Sequence, residues 1–129
     1  MKIVDLKEFL YLPAGTLFAK FSPVFFGELC IKGQNSGDRD FCAQTLLQVD
    51  GDDVDMTLLN AMGSGESFAL DLDCQGRDGI YNTEQLFAVY ESQDAKQLLS
   101  GLFKAFAESS LLDRDLMGTL DQAIKASDQ

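Results

Sequence analysis

Apolar and polar positions alternate through FALDLDCQ, with Phe68, Leu70, Leu72 and Cys74 on one side and Ala69, Asp71, Asp73 and Gln75 on the other. A period of two predicts a strand with one buried face. Four more strands read in the same way. TLFAKF (16–21) and VFFGELCIK (24–32) flank Ser22 and Pro23, and in the second of them Phe25, Gly27, Leu29 and Ile31 face away from Glu28 and Lys32. FCAQTLLQV (41–49) puts Gln44 and Gln48 on one polar face, and QLFAVYE (85–91) supplies the fifth strand.

A period of three to four residues marks the helices. Asp5 and Glu8 have the spacing of a capping box, Leu6, Phe9 and Leu10 form a stripe, and Pro13 and Gly15 end the helix. DGDDVDMTLLNAM (50–62) reads as an acidic loop entering a short helix, because carboxylates favour the positive end of the helix dipole. The GSG at 63–65 then opens the alternating strand. Ala95, Leu98, Leu99, Leu102, Phe103 and Phe106 follow helical spacing with Ser92 as cap, and a last helix carries Leu112, Leu116, Leu120 and Ile124 on one stripe.

Sequential strands joined by short turns leave no room for parallel crossovers. The expected fold is therefore α+β: a single domain over residues 1–129, with an antiparallel sheet of about five strands. A short N-terminal helix, one inserted helix and two C-terminal helices complete it. The polar loop GQNSGDRD (33–40) should be exposed and mobile.

Composition removes whole classes of chemistry. The chain has no histidine, which excludes Ser-His-Asp and Cys-His nucleophiles, His-ligated zinc and histidine acid/base catalysis. Cys30, Cys42 and Cys74 are odd in number and form no CxxC pair, so they read as small buried side chains in strands. No catalytic residue and no cofactor is expected. No apolar run approaches the ~18 residues of a membrane span. Asp5 and Glu8 interrupt what would be the apolar core of a signal peptide, so the expected location is the cytoplasm.

The net charge of −11 is unevenly spread: from Asp50 to Asp94 eleven carboxylates face a single basic residue, Arg77. Direct contact with nucleic-acid phosphates is disfavoured by such a field, which would attract a basic protein surface or a divalent cation. The residues expected to form an acidic interaction surface are Asp50, Asp52, Asp53, Asp55, Asp71, Asp73 and Asp78.

DLDCQGRDGIYNTE (71–84) invites comparison with a calcium loop, which needs oxygens at positions 1, 3, 5, 7, 9 and 12 and a glycine at 6. A register starting at Asp71 places Gly76 correctly but ends on Asn82. One starting at Asp73 ends on Glu84 but puts Arg77 at position 5 and Asp78 in place of glycine. Neither closes. Asp78-Gly79 as the tight turn of a hairpin accounts for the alternation before it and the β-favouring Ile80 and Tyr81 after it. A cation site or carboxylate-dependent enzyme built on Asp71, Asp73 and Glu84, or on the loop 50–55, remains the alternative from another class. So does an aromatic patch, since alternation cannot send Phe18, Phe21, Phe25 and Phe26 all to one face.

LPAGTLFAKFSPVFFGELCIKG (12–33) and GRDGIYNTEQLFAVYE (76–91) together resemble small proteins encoded by phages and prophages, a likeness covering about a third of the chain. The resemblance implies a bacterial cytosolic setting and an accessory role, and carries over no catalytic residue. The leading expectation is a non-enzymatic protein offering its acidic surface to a basic patch on a host nucleic-acid-handling factor, with carboxylates standing in for phosphates. A homodimer through the apolar stripes of the C-terminal helices is a third expectation.

Overall fold

In the computed structural model, which describes residues 1–79, 82–109 and 113–127, four phenylalanines from distant parts of the chain meet out of contact with water. Phe9 stacks on Phe87 with centroids 4.1 Å apart, and Phe18 and Phe41 approach its ring edge-on at 4.7 and 4.8 Å. Aromatic pairs favour these offset and T-shaped contacts over face-to-face sandwiches. Val4, Leu6 and Val89 complete the core.

Around this cluster the unit Met1–Tyr90 is built from β1 (Lys2–Val4), α1 (Leu6–Tyr11), β2 (Leu17–Ser22), β3 (Phe25–Phe26), β4 (Cys30–Asn35), β5 (Phe41–Thr45), α2 (Val54–Ser64), β6 (Gly76–Arg77) and β7 (Leu86–Val89). The strands form one antiparallel sheet in the order β1-β7-β2-β4-β5-β6, with β3 also paired to β2. The fold class is α+β as expected, with seven strands among the described residues where about five were read. The extra ones are short: β1 has three residues, and the expected strand 24–32 is broken into β3 and β4.

Alternation assigns the faces. Phe18 lies opposite Val89 on the neighbouring strand, and Phe87 opposite Val4, so these side chains share the face on which α1 lies. At the entry to α1 the Asp5 carboxylate accepts the Glu8 N–H at 2.8 Å. The Glu8 carboxylate meets Lys2 Nζ at 2.7 Å.

Several local expectations are corrected. Lys32, read on the face opposite Phe25, Gly27, Leu29 and Ile31, lies on the core face and is 2% exposed. Gln44 is buried as well, its amide donating to the carbonyls of Thr45 and Asp71. Cys30 and Cys42 are half-buried in strands, whereas Cys74 is exposed and outside any strand. The loop 33–40 is not wholly exposed, because β4 extends to Asn35 and Asp40 is buried. The segment 68–75 is not a regular strand: only Leu70 makes a β-bridge, to Val49, and Phe68, Leu70 and Leu72 are exposed. GSG ends α2 rather than opening a strand, with Gly65 as the left-handed C-cap at φ 74°.

The second unit, Glu91–Gln129, contains α3 (Ser92–Glu108) and α4 (Arg114–Ser127). The N-cap of α3 is Glu91 rather than Ser92, and its N–H donates to the Asp94 carboxylate at 2.9 Å. Asp113 opens α4 by accepting the Leu116 N–H at 2.9 Å. Leu112, expected on the last apolar stripe, lies outside the described residues, as do Ile80 and Tyr81. Among the described residues no helix is long and apolar enough to cross a membrane.

Candidate interaction surface

The bridge between Val49 and Leu70 brings the two acidic segments side by side. Asp50 N–H donates to the Ala69 carbonyl at 2.9 Å, and Asp71 N–H to that of Gln48 at 2.7 Å. The chain therefore leaves this short pairing in both directions through carboxylates: Asp50, Asp52, Asp53 and Asp55 on one side, Asp71 and Asp73 on the other. Five of the six are exposed and Asp71 is half-buried. Gln44 fixes the second segment to β5 through the Asp71 carbonyl.

Two of these carboxylates have local structural tasks as well. Asp53 is the N-cap of α2, accepting the Met56 N–H at 3.1 Å, and Asp71 Oδ1 accepts the Asp73 N–H at 3.0 Å. Asp78 stands apart from the group. Its carboxylate pairs with Lys20 Nζ at 3.0 Å and is mostly withdrawn from water, and its N–H donates to the Phe41 carbonyl.

The strand expected after Asp78-Gly79, at Ile80 and Tyr81, lies outside the described residues. Among the described residues β6 pairs with β5, and β7 with β1 and β2. Gly79 does adopt the positive φ expected of that dipeptide, 63°, but in doing so it wraps the chain around Asp40. The Asp40 carboxylate accepts the N–H groups of Phe41 and Gly79, each at 2.8 Å, and pairs with Arg77 Nε. Nothing in the sequence marked Asp40, since it stands in a polar loop and two of its partners, Arg77 and Gly79, lie nearly forty positions away.

Among the described residues no group of three or more acidic or thiol side chains comes together in a way that could hold a metal ion. A hollow of about 440 Å³ includes Phe18, Lys20, Cys30 and Asp78 in its lining. Burial, with the charge of Glu28 beside it, pushes the Cys30 thiol up from its ordinary value of 9.0. That is opposite to the shift that activates a cysteine nucleophile.

The acidic segments also border an apolar groove of about 340 Å³, lined by Leu47, Gln48, Val49, Val54, Leu58 and Phe68. This groove was not read from the sequence, although the apolar run inside DGDDVDMTLLNAM was its only local trace. The four phenylalanines considered as a patch divide: Phe18 is in the core, Phe21 packs on Phe26 at 5.3 Å, and Phe25 and Phe26 are exposed beside Val24 at the tip of the β2–β3 hairpin.

No protein-family model, curated protein or solved structure matches this chain.

Proposed function

We propose that this chain is a non-enzymatic interaction protein whose carboxylates at 50, 52, 53, 55, 71 and 73 dock on a basic surface of another protein. The observation that carries this reading is the Val49–Leu70 bridge, which joins two acidic stretches some twenty residues apart into one neighbourhood. Convergent charge of one sign accelerates encounter with a complementary surface and sets specificity. The resemblance to phage and prophage proteins makes the partner a host nucleic-acid-handling factor in the cytoplasm, its DNA-binding groove filled by carboxylates acting as phosphate mimics.

The test is capture of bacterial proteins on the immobilised chain, followed by elution. Bound partners should leave between about 0.05 and 0.5 M salt, as screening shortens the range of the field. They should also be displaced by duplex DNA and be lost when Asp50, Asp52, Asp55 and Asp73 are changed together to Asn. Binding indifferent to salt and to these four changes overturns the reading.

Self-association is a second reading, supported by the exposure of apolar residues on the C-terminal helices. Leu99, Leu102 and Phe103 of α3 and Met117, Leu120 and Ile124 of α4 are exposed, and neither helix has a buried residue among those described. Sedimentation should show a dimer that Leu102→Glu dissociates. A monomer at high concentration removes it.

A further inference from the structure

α2 has the composition of a buried helix on an exposed site. Val54, Met56, Leu58, Leu59, Ala61 and Met62 cover much of its circumference, leaving Thr57, Asn60 and Ser64 on one polar side, yet no residue of the helix is buried. Met56, Leu59 and Met62 are 50, 55 and 79% exposed, and on another side Val54 and Leu58 open into the groove shared with Leu47, Val49 and Phe68. Contiguous exposed apolar surface on a helix marks a place where something binds.

The geometry points to a basic amphipathic helix of a protein partner as the occupant of this groove, with its apolar stripe against Leu58 and its neighbours and its lysines or arginines on the carboxylates. This inference rests on the docking reading above and adds the shape and chemistry of what docks. Two features select that occupant. The first is the charge: Asp50, Asp52, Asp53 and Asp55 lie at the N-terminal end of α2, with Asp53 as its cap and Asp55 in its first turn, so the apolar surface has an acidic margin. The second is the size: about 340 Å³ suits one or two large aliphatic or aromatic anchors, and a helix presents these at i, i+3, i+4 and i+7. The unbranched methionines on α2 can repack around more than one anchor shape.

The experiment measures binding of three synthetic peptides of about 18 residues to the full chain by fluorescence anisotropy. One has leucines on a helical stripe and lysines elsewhere, one has the same composition shuffled so that no stripe forms, and one keeps the stripe but replaces lysine by glutamate. The striped basic peptide should bind at least tenfold more tightly than the shuffled one. Leu58→Gln with Met62→Gln, both at exposed positions, should erase that difference and leave the shuffled peptide unchanged. Asp52→Asn with Asp55→Asn should weaken both basic peptides and flatten their salt dependence. Equal binding of striped and shuffled peptides overturns the groove while the acidic docking reading stands. No binding of either basic peptide at low salt overturns both. Equally tight binding of the glutamate peptide shows an apolar groove with no electrostatic role and overturns the basic occupant.

Discussion

The Asp40 carboxylate accepts the backbone N–H of Gly79 at 2.8 Å and so ties the start of β5 to the turn after β6. The same group holds the Phe41 N–H and Arg77. Burial pushes its acidity toward the neutral form, but the bonds from Arg77, Phe41 and Gly79 outweigh that, and the carboxyl ends below its ordinary value of 3.8. The folded state therefore binds the proton more weakly than the unfolded one. The resulting stabilisation is complete above 3.8 and disappears as pH falls through the lower folded value. Asp40→Ala, which leaves two N–H groups without their acceptor, should lower Tm by more than about 5 °C at neutral pH. It should also flatten the acid limb of the Tm profile relative to the parent chain; Asp40→Asn, which has no titrating proton either, should flatten that limb as much, with a neutral-pH Tm between the two. An unchanged acid limb would assign that proton linkage to another carboxylate.

Lys32 should give a slope of the same sign at the alkaline end of the pH scale. Its ammonium is buried on the core face, 5.7 Å from the centroid of Phe9, with Asn35 Oδ1 at 2.8 Å and the Gly33 carbonyl at 3.4 Å. Among the described residues no carboxylate pairs with it, and burial lowers its pKa from 10.5. The unfolded chain keeps this proton at pH values where the folded chain has released it, so stability rises with pH between the folded value and 10.5. Lys32→Met removes the cost of burying a charge but leaves Asn35 Oδ1 without its donor, and the two effects, each about 1 to 2 kcal/mol, oppose one another. The informative quantity is the difference in denaturation free energy between parent and variant across alkaline pH. It should move in the parent's favour as pH rises, and a difference independent of pH would show that Lys32 stays charged in the fold.

Lys32 and Asp40 also show where sequence patterns lose their reach. The capping geometry and stripe of α1 lie within seven residues, so Asp5, Leu6 and Phe9 were legible together, and α3 was legible for the same reason. Alternation in the segment 68–75 was regular, but a period of two states only which side chains share a face. It does not say whether a neighbouring strand exists, and only Leu70 found one. β1 pairs with a strand more than eighty residues later and is too short to carry a pattern of its own. At the candidate site the individual carboxylates and the α2 cap were readable. Their meeting across Val49 and Leu70, the separation of Asp78 from the rest, and the groove at Leu58 all depend on nonlocal pairing.

Val24 should be replaceable with profit to stability. It occupies the two-residue turn between β2 and β3 with φ 58° and is 99% exposed. A turn with proline at its first central position and positive φ at its second usually places glycine or asparagine at the second. A β-branched residue in that region is strained by about 1 to 2 kcal/mol, while glycine costs about 0.5 to 1 kcal/mol in unfolded-chain entropy. Val24→Gly should therefore raise Tm by up to about 8 °C in a thermal melt. A lower Tm would mean that the valine side chain contributes more to the hairpin than its exposure indicates.

Asp53 is where the structural and docking roles of the acidic segment can be separated. Its side chain caps α2 through the Met56 N–H, and its carbonyl accepts the Thr57 hydroxyl at 3.0 Å. Asp53→Ala should cost α2 about 1 kcal/mol, seen as roughly fivefold faster amide exchange in the helix if it opens locally. Asparagine caps as well as aspartate, so Asp53→Asn should leave exchange near the parent rate while still removing one charge from the acidic surface. Binding of the basic striped peptide then distinguishes the roles: both variants should lose the salt-dependent contribution of one carboxylate, and only the alanine variant should also loosen the groove. Faster exchange in the asparagine variant, matching alanine, would show that Asp53 holds the helix through its charge on the dipole rather than through the capping bond.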